Sequence, residues 1–217
     1  MLFEGQYRRF LGMKGGKGPM DARITHQESL ATAVVEPVNF EMTRAGRRFF
    51  LGISGAVTGI APVQALPTTA AQWVLWNLDS SATYFLEELG MMLVSGTPGA
   101  GGVLMGALFQ APAQSGSGAV GLSVQSASFG ARTSKALVKS VVTLTTPAAP
   151  TWFPVASNPS PNVGAFPGSA TLERRDLAGA IAIPPGYGLA LDVLAPAGTA
   201  PLFAPFARWI EQETDME

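Results

Sequence analysis

The 217-residue chain has no cysteine, one histidine, and 14 basic against 15 acidic residues. This excludes disulfide frameworks, thiolate metal sites and cysteine nucleophiles, leaves one imidazole for any triad or zinc site, and gives no general electrostatic pull towards nucleic acid. The charge is unevenly placed: 13 charged residues lie in residues 1–48, Glu211, Glu213, Asp215 and Glu217 close the chain, and 12 are left for residues 49–210. An ordinary soluble domain carries about a quarter charged residues, and interspersed charge keeps a water-facing surface soluble. A body this bare is expected to be covered by other protein chains, which favours an assembly component over a free enzyme.

Taken in chain order, residues 1–45 read as an N-terminal arm and residues 46–217 as the folded domain. In the arm, Arg8, Arg9, Lys14, Lys17 and Arg23 surround the glycine-rich Gly12-Met-Lys-Gly-Gly-Lys-Gly18. Such a segment has little core of its own and suits docking on a neighbouring protein through its basic side chains. The start of the chain lacks the continuous apolar core of a secretory signal, so synthesis in a cytoplasm is expected. From Arg47 onward, short apolar runs bounded by turn residues recur in the manner of an all-β sandwich. The runs cover 47–54, 57–63, 71–77, 83–94, 103–109, 120–126, 137–144, 152–155, 179–183, 188–194 and 201–210. Pro67-Thr-Thr, Asp79-Ser-Ser, Gly96-Thr-Pro-Gly, Ser115-Gly-Ser-Gly, Asn158-Pro-Ser-Pro and Pro184-Pro-Gly supply the turn chemistry between them. Thr83 to Gly90 fits either a helix start or a strand. Two uncharged stretches approach the length of a membrane span, but glycine and proline break both, so no membrane segment is expected.

The chemical motifs are weak in their settings. Gly116-Ser-Gly-Ala-Val-Gly121 matches the dinucleotide-binding glycine pattern, yet a strand-like Leu-Ser-Val-Gln-Ser follows it where a helix is needed, so a hairpin loop is expected. Gly12 to Gly18 is too short for a phosphate loop and has Gly18 where the magnesium-binding hydroxyl belongs. His26 lies in the arm, away from any nucleophile, and reads as a solvated or interface histidine. Asp79 or Asp176 with backbone carbonyls is a candidate calcium site, although no EF-hand spacing exists. The adjacent acids Glu87 and Glu88 should point to opposite faces of a strand, one exposed and one paired, which argues against a glycosidase pair. Glu173-Arg-Arg-Asp176 reads as a solvated or intersubunit charge cluster. Trp73, Trp76, Tyr84, Trp152, Phe153, Tyr187 and Trp209 are candidates for core, interface or a sugar-binding face. Trp73 and Trp76 are three apart, hence on opposite faces of a strand, so one is expected in the core and the other at an interface or ligand surface. No catalytic residue, metal or cofactor is expected.

Gly179-Ala-Ile-Ala-Ile-Pro-Pro-Gly-Tyr-Gly-Leu-Ala-Leu-Asp-Val-Leu194 resembles the Pro-Gly corner and alternating strand found late in viral and tumour-necrosis-factor-like jelly rolls. Pro184-Pro185-Gly186 forces the corner, after which Leu189, Leu191 and Val193 face one way into the sandwich. With the charge-poor strands and the basic arm, the chain resembles a tailed-bacteriophage virion structural protein of the capsid cement or decoration type. That resemblance implies an all-β, jelly-roll-like β-sandwich with an extended N-terminal arm, assembled as a homotrimer or another symmetric oligomer. It further implies a place in the virion, with the major capsid protein or other virion proteins as partners and no direct nucleic-acid or membrane contact. The competing reading is a carbohydrate- or receptor-binding module of a phage tail or a lectin-like protein, which exposed tryptophans beside Asp or Asn would support.

Overall fold

The computed structural model describes residues 38–97, 102–110, 117–118, 121–128, 132–144, 151–158, 171–196 and 198–213. Most of the basic arm, including Arg8, Arg9, Lys14, Lys17, Arg23 and His26, lies outside them. The first described element is a short helix, α1 (Val38–Arg44), inside the span read as arm. Gly46 ends it at φ 70°, with Arg47 N–H bonded to the Met42 carbonyl and Gly46 N–H to that of Thr43. This is a Schellman cap, in which a left-handed glycine satisfies the last carbonyls and turns the chain into the first strand.

Eleven strands follow among the described residues: β1 (Arg48–Ile53), β2 (Ala70–Asn77), β3 (Ala82–Thr97), β4 (Gly102–Gln110), β5 (Ser117–Gly118), β6 (Leu122–Ser126), β7 (Ala136–Thr143), β8 (Phe153–Asn158), β9 (Thr171–Ile183), β10 (Tyr187–Leu194) and β11 (Thr199–Glu213). They form a five-stranded sheet, β6-β1-β11-β3-β9, and a six-stranded sheet, β5-β7-β2-β10-β4-β8, with all strand pairs antiparallel. Without β5, β6 and β7, the remaining order is β1-β11-β3-β9 against β2-β10-β4-β8, the two four-stranded sheets of a jelly roll. The insertion between β4 and β8 widens the five-stranded sheet with β6 and the six-stranded one with β7 and β5. The fold is therefore the expected jelly-roll-like sandwich.

Several expectations need correction. Residues 57–63 are not a strand: Ile60 and Val63 make isolated bridges, to Phe203 and Leu194. The stretch 83–90 is strand throughout. Strand β9 begins eight residues before the apolar run at Gly179, because its first half is the charged Thr-Leu-Glu-Arg-Arg-Asp that apolar patterning overlooks. Ser117 and Gly118, read as loop, pair with β7.

The main core lies between the sheets. Phe49, Trp209 and Tyr84 stack across three strands of the five-stranded sheet, with ring centroids 6.2 and 6.1 Å apart, facing Trp73, Leu75, Leu189, Leu191 and Val193 of the six-stranded sheet. The inward set of β10 is the one expected from alternation. Pro184, Pro185 and Gly186 make the corner feeding it: Tyr187 N–H bonds the Pro184 carbonyl and Gly186 adopts φ 75°. Trp76 does lie on the face opposite Trp73, yet both are buried, so neither marks an exposed surface. A second apolar cluster of Val74, Trp76, Ala107, Phe109 and Ala190 buries the far face of the six-stranded sheet. That explains why β2 is apolar almost without interruption.

Candidate functional site

The outer face of the five-stranded sheet gathers charged and aromatic side chains that the core does not use. Phe49, Leu86 and Trp209 point inward, so Arg48, Phe50, Phe85, Arg208 and Ile210 point outward. Cross-strand register aligns them in two rows, Arg48, Ile210, Phe85 and Phe50, Arg208, Glu88. Phe206 stands opposite Gly90 on the same face. Phe50, Phe85, Phe206 and Ile210 are each only partly buried.

Glu87 and Glu88 share this face, against the expectation of opposite faces. Arg208 pairs with Glu88 and Trp209 with Leu86, so Glu87 is the extra residue of a β-bulge. The bulge lets Leu86 and Leu89, three apart, both enter the core and turns both carboxylates outward. Neither is an exposed acid. Glu87 accepts from Arg48 Nε at 2.7 Å, and Glu88 pairs with Arg208 at 3.2 Å. The two carboxylates are thus held by neighbouring guanidiniums, and on β1, β3 and β11 the aromatic area lies beside these paired charges.

The sheet edges are poorly suited to pairing. On β9, residues 177–180 bulge out between the pairs Glu88–Asp176 and Leu86–Ile181, with Ala178 at φ 46° and Gly179 at φ 81°. The carboxylate of Asp176 accepts the Ala178 N–H at 2.9 Å, so it caps the bulge. Strand β6 has five residues, β5 has two, and β8 contains Pro154 and a register shift. Short, bulged and proline-bearing edges resist strand addition.

A second polar cluster ties the insertion to β11. Ser134 donates its hydroxyl to Glu211 and accepts the Ala136 N–H, while Trp209 Nε1–H donates to the same Glu211 oxygen at 3.3 Å. Burial pushes the Glu211 carboxyl up from its ordinary value, and burial followed by the Glu211 charge pushes the Tyr84 hydroxyl up. Burial alone would raise Asp79 too, but bonds from the Ser81 N–H and hydroxyl and the Lys135 ammonium outweigh it and hold that carboxyl low. Asp79 therefore closes a turn and anchors Lys135 through Oδ1. No group of three His, Asp or Glu suited to a metal occurs among the described residues.

The other candidates are accounted for locally. Gly121 sits at φ 74° against the Val57 backbone and leads into β6, so the described part of the glycine pattern belongs to strand β5 and to the turn before β6, with no helix after it. Trp73, Trp76 and Trp209 are buried, and the half-buried Trp152 donates to the Pro67 carbonyl. None of the four tryptophans offers an exposed sugar platform. No helix among the described residues is long and apolar enough to cross a membrane. Sequence reasoning missed the aromatic face, because the bulge and the register that assemble it leave no local signal.

Fold and site together define an all-β jelly-roll sandwich with an aromatic, charge-paired outer face. No protein-family model matches the chain, and no curated protein does. Among solved structures, the cryo-EM structure of Mud Crab Dicistrovirus is similar at 9 % identity, over 94 % of this chain and 85 % of that chain, with a TM-score of 0.20. A score that low carries no weight for this chain.

Proposed function

We propose that this chain is a structural virion protein that binds and reinforces a capsid, of the cement or decoration type found in tailed bacteriophages. The observation that carries the reading is the bare surface of a jelly roll. Of the 12 charges between residues 49 and 210, Asp79, Glu87, Glu88 and Asp192 are buried, so still fewer face water than the sequence implies. With the described edges blunted, association is expected through faces. The outer aromatic face of β1, β3 and β11 is the surface for a homo-oligomer, a trimer being favoured. The arm, with Arg8, Arg9, Lys14, Lys17 and Arg23, docks on the major capsid protein or another virion protein. The protein is made in the host cytoplasm, resides in the virion, and works without catalysis, metal or cofactor. The carbohydrate-binding alternative lacks the exposed tryptophans that would favour it.

A subunit that binds the assembled shell and not its dissociated parts stabilises the shell by about 2.7 kcal/mol per site when free protein is a hundredfold above its dissociation constant. Particles lacking the protein should therefore lose infectivity sooner under heat or osmotic shock. Equal survival overturns the cement reading. Lost attachment to cells with intact shells transfers the assignment to receptor binding.

A further inference from the structure

We infer that residues 60–63 form a proton-locked clasp between the two sheets, shut while Asp192 is neutral and released when its carboxyl ionises. The clasp bridges the end of the sandwich. Ile60 exchanges two backbone hydrogen bonds with Phe203 of β11, at 2.8 and 2.9 Å. Three residues on, Val63 donates to the Val193 carbonyl at 2.8 Å and accepts from Ala195 N–H at 3.1 Å, so it pairs with the end of β10. The approach is close: a Cβ on Gly59 would lie 2.8 Å from Leu202 Cβ and 2.9 Å from Phe203 N.

Two buried side chains hold the clasp where β10 exchanges its partner β2 for residue 63. Gln72 Nε2 donates to the Ala61 carbonyl, and Gln72 Oε1 accepts the Val193 N–H at 2.7 Å. Gln72 is itself fixed by its backbone N–H, which donates to Asp192 Oδ1 at 2.6 Å. Asp192 is 1 % exposed, and its Oδ2 has no hydrogen-bond partner. No cation among the described residues pairs with it. β2, β4 and residues 59–64 contain no Asp, Glu, His, Lys, Arg or Tyr, and β10 adds only Tyr187, on the core side. Across the sheet, Asp192 faces Met105. An ionised carboxylate with a bare oxygen in such a setting is costly, and the relief open to it is water, which enters when the clasp lifts.

The direction of the effect follows from linkage. Burial raises the Asp192 carboxyl from 3.8 to about 7 in the closed state, while an opened clasp returns it to its ordinary value. The opening constant should therefore rise about tenfold per pH unit between roughly 4 and 7, and level off above 7.

The test is amide hydrogen exchange on the full chain from pH 4.5 to 8.5, corrected for intrinsic rates, with the β3–β11 ladder as reference. The amides of Ile60, Val63, Ala195 and Phe203 should lose about fiftyfold protection relative to the ladder between pH 5 and 7. Asp192→Asn, neutral at every pH, should abolish that change. Clasp amides that track the ladder throughout, or an Asp192→Asn protein that keeps the pH response, overturn the inference. Should that variant not fold, the Asp192 carboxyl carbon shift of the natural chain decides: titration near 7, in step with the clasp amides, supports the clasp, and titration in the ordinary carboxylate range overturns it.

Discussion

Asn77 shows how much one buried amide can join. Its Nδ2 donates to the carbonyls of Ala82 and Ile183, its Oδ1 accepts the Asp79 N–H, and its own carbonyl takes the Gly186 N–H. Asn77→Ala leaves two carbonyls and an N–H buried without partners, so a loss of about 3–5 kcal/mol is expected in denaturant unfolding. Gly188 is fixed by packing. A Cβ there would lie 2.5 Å from Phe109 Cζ and 2.8 Å from Trp76 Cδ1, the rings of an edge-to-face pair. Gly188→Ala should cost about 1–3 kcal/mol by overpacking, measured the same way. Val141 carries strain without burial: it is 65 % exposed at φ 51°, a region costly for a β-branched residue. Val141→Gly should raise stability by about 1 kcal/mol, visible as a higher melting temperature. Glu211 contributes a pH dependence of definite sign. Its carboxyl is raised by burial, so the folded chain keeps a proton that the unfolded chain loses above 4.5, and stability falls as pH rises through that interval. Glu211→Gln keeps an acceptor for Ser134 and Trp209 and should gain stability relative to the natural chain at pH 8 but not at pH 4, read from denaturation midpoints.

At the scale of elements, the bulge at Glu87 decides what the five-stranded sheet presents to its surroundings. Without the extra residue, Leu86 and Leu89 could not both reach the core, and one of the two acids would replace a leucine there. The bulge places Glu87 beside Arg48 and Glu88 beside Arg208, both pairs at hydrogen-bond distance. A double-mutant cycle between Arg48→Ala and Glu87→Ala should give a coupling of about 1–2 kcal/mol, above that of a fully exposed pair, because both partners are mostly covered. A coupling near zero would mean that the bulge, and not the ion pair, holds the two strands in place. Strand β9 bulges opposite the same point, and its capped insertion interrupts the edge that a further strand would need.

For the whole molecule, every ladder partner of β1 to β11 among the described residues lies within residues 48–213. A chain beginning at Val38 should therefore fold to the same strand content by circular dichroism. If the arm is the docking element, that shortened chain should join particles at lower occupancy and with a weaker salt dependence than the full chain. Light scattering of the full chain should report a homo-oligomer, and Phe50→Lys on the outer aromatic face should shift it towards monomer without unfolding it. A monomer across micromolar concentrations in the unaltered chain would remove the aromatic face as an association surface.

Composition and alternation determined the all-β class, most of the strands, the Pro184-Pro185-Gly186 corner and the inward set Leu189, Leu191 and Val193, because these depend on local backbone chemistry and on a period of two. The scarcity of charge between Arg48 and Glu211 was equally plain in the sequence. Only the tertiary structure decided that both Trp73 and Trp76 are buried, since the burial of a strand's second face depends on packing that alternation does not encode. It also decided that Glu87 and Glu88 share a face, since a single extra residue reverses every later side chain and becomes visible only in the register with β11. The charged half of β9 pairs because β3 is long enough to template it. Asp192, one apolar-strand aspartate among ordinary neighbours in the sequence, became a buried, half-satisfied carboxylate only when β2 and β4 flanked it in the sheet and brought no cation with them.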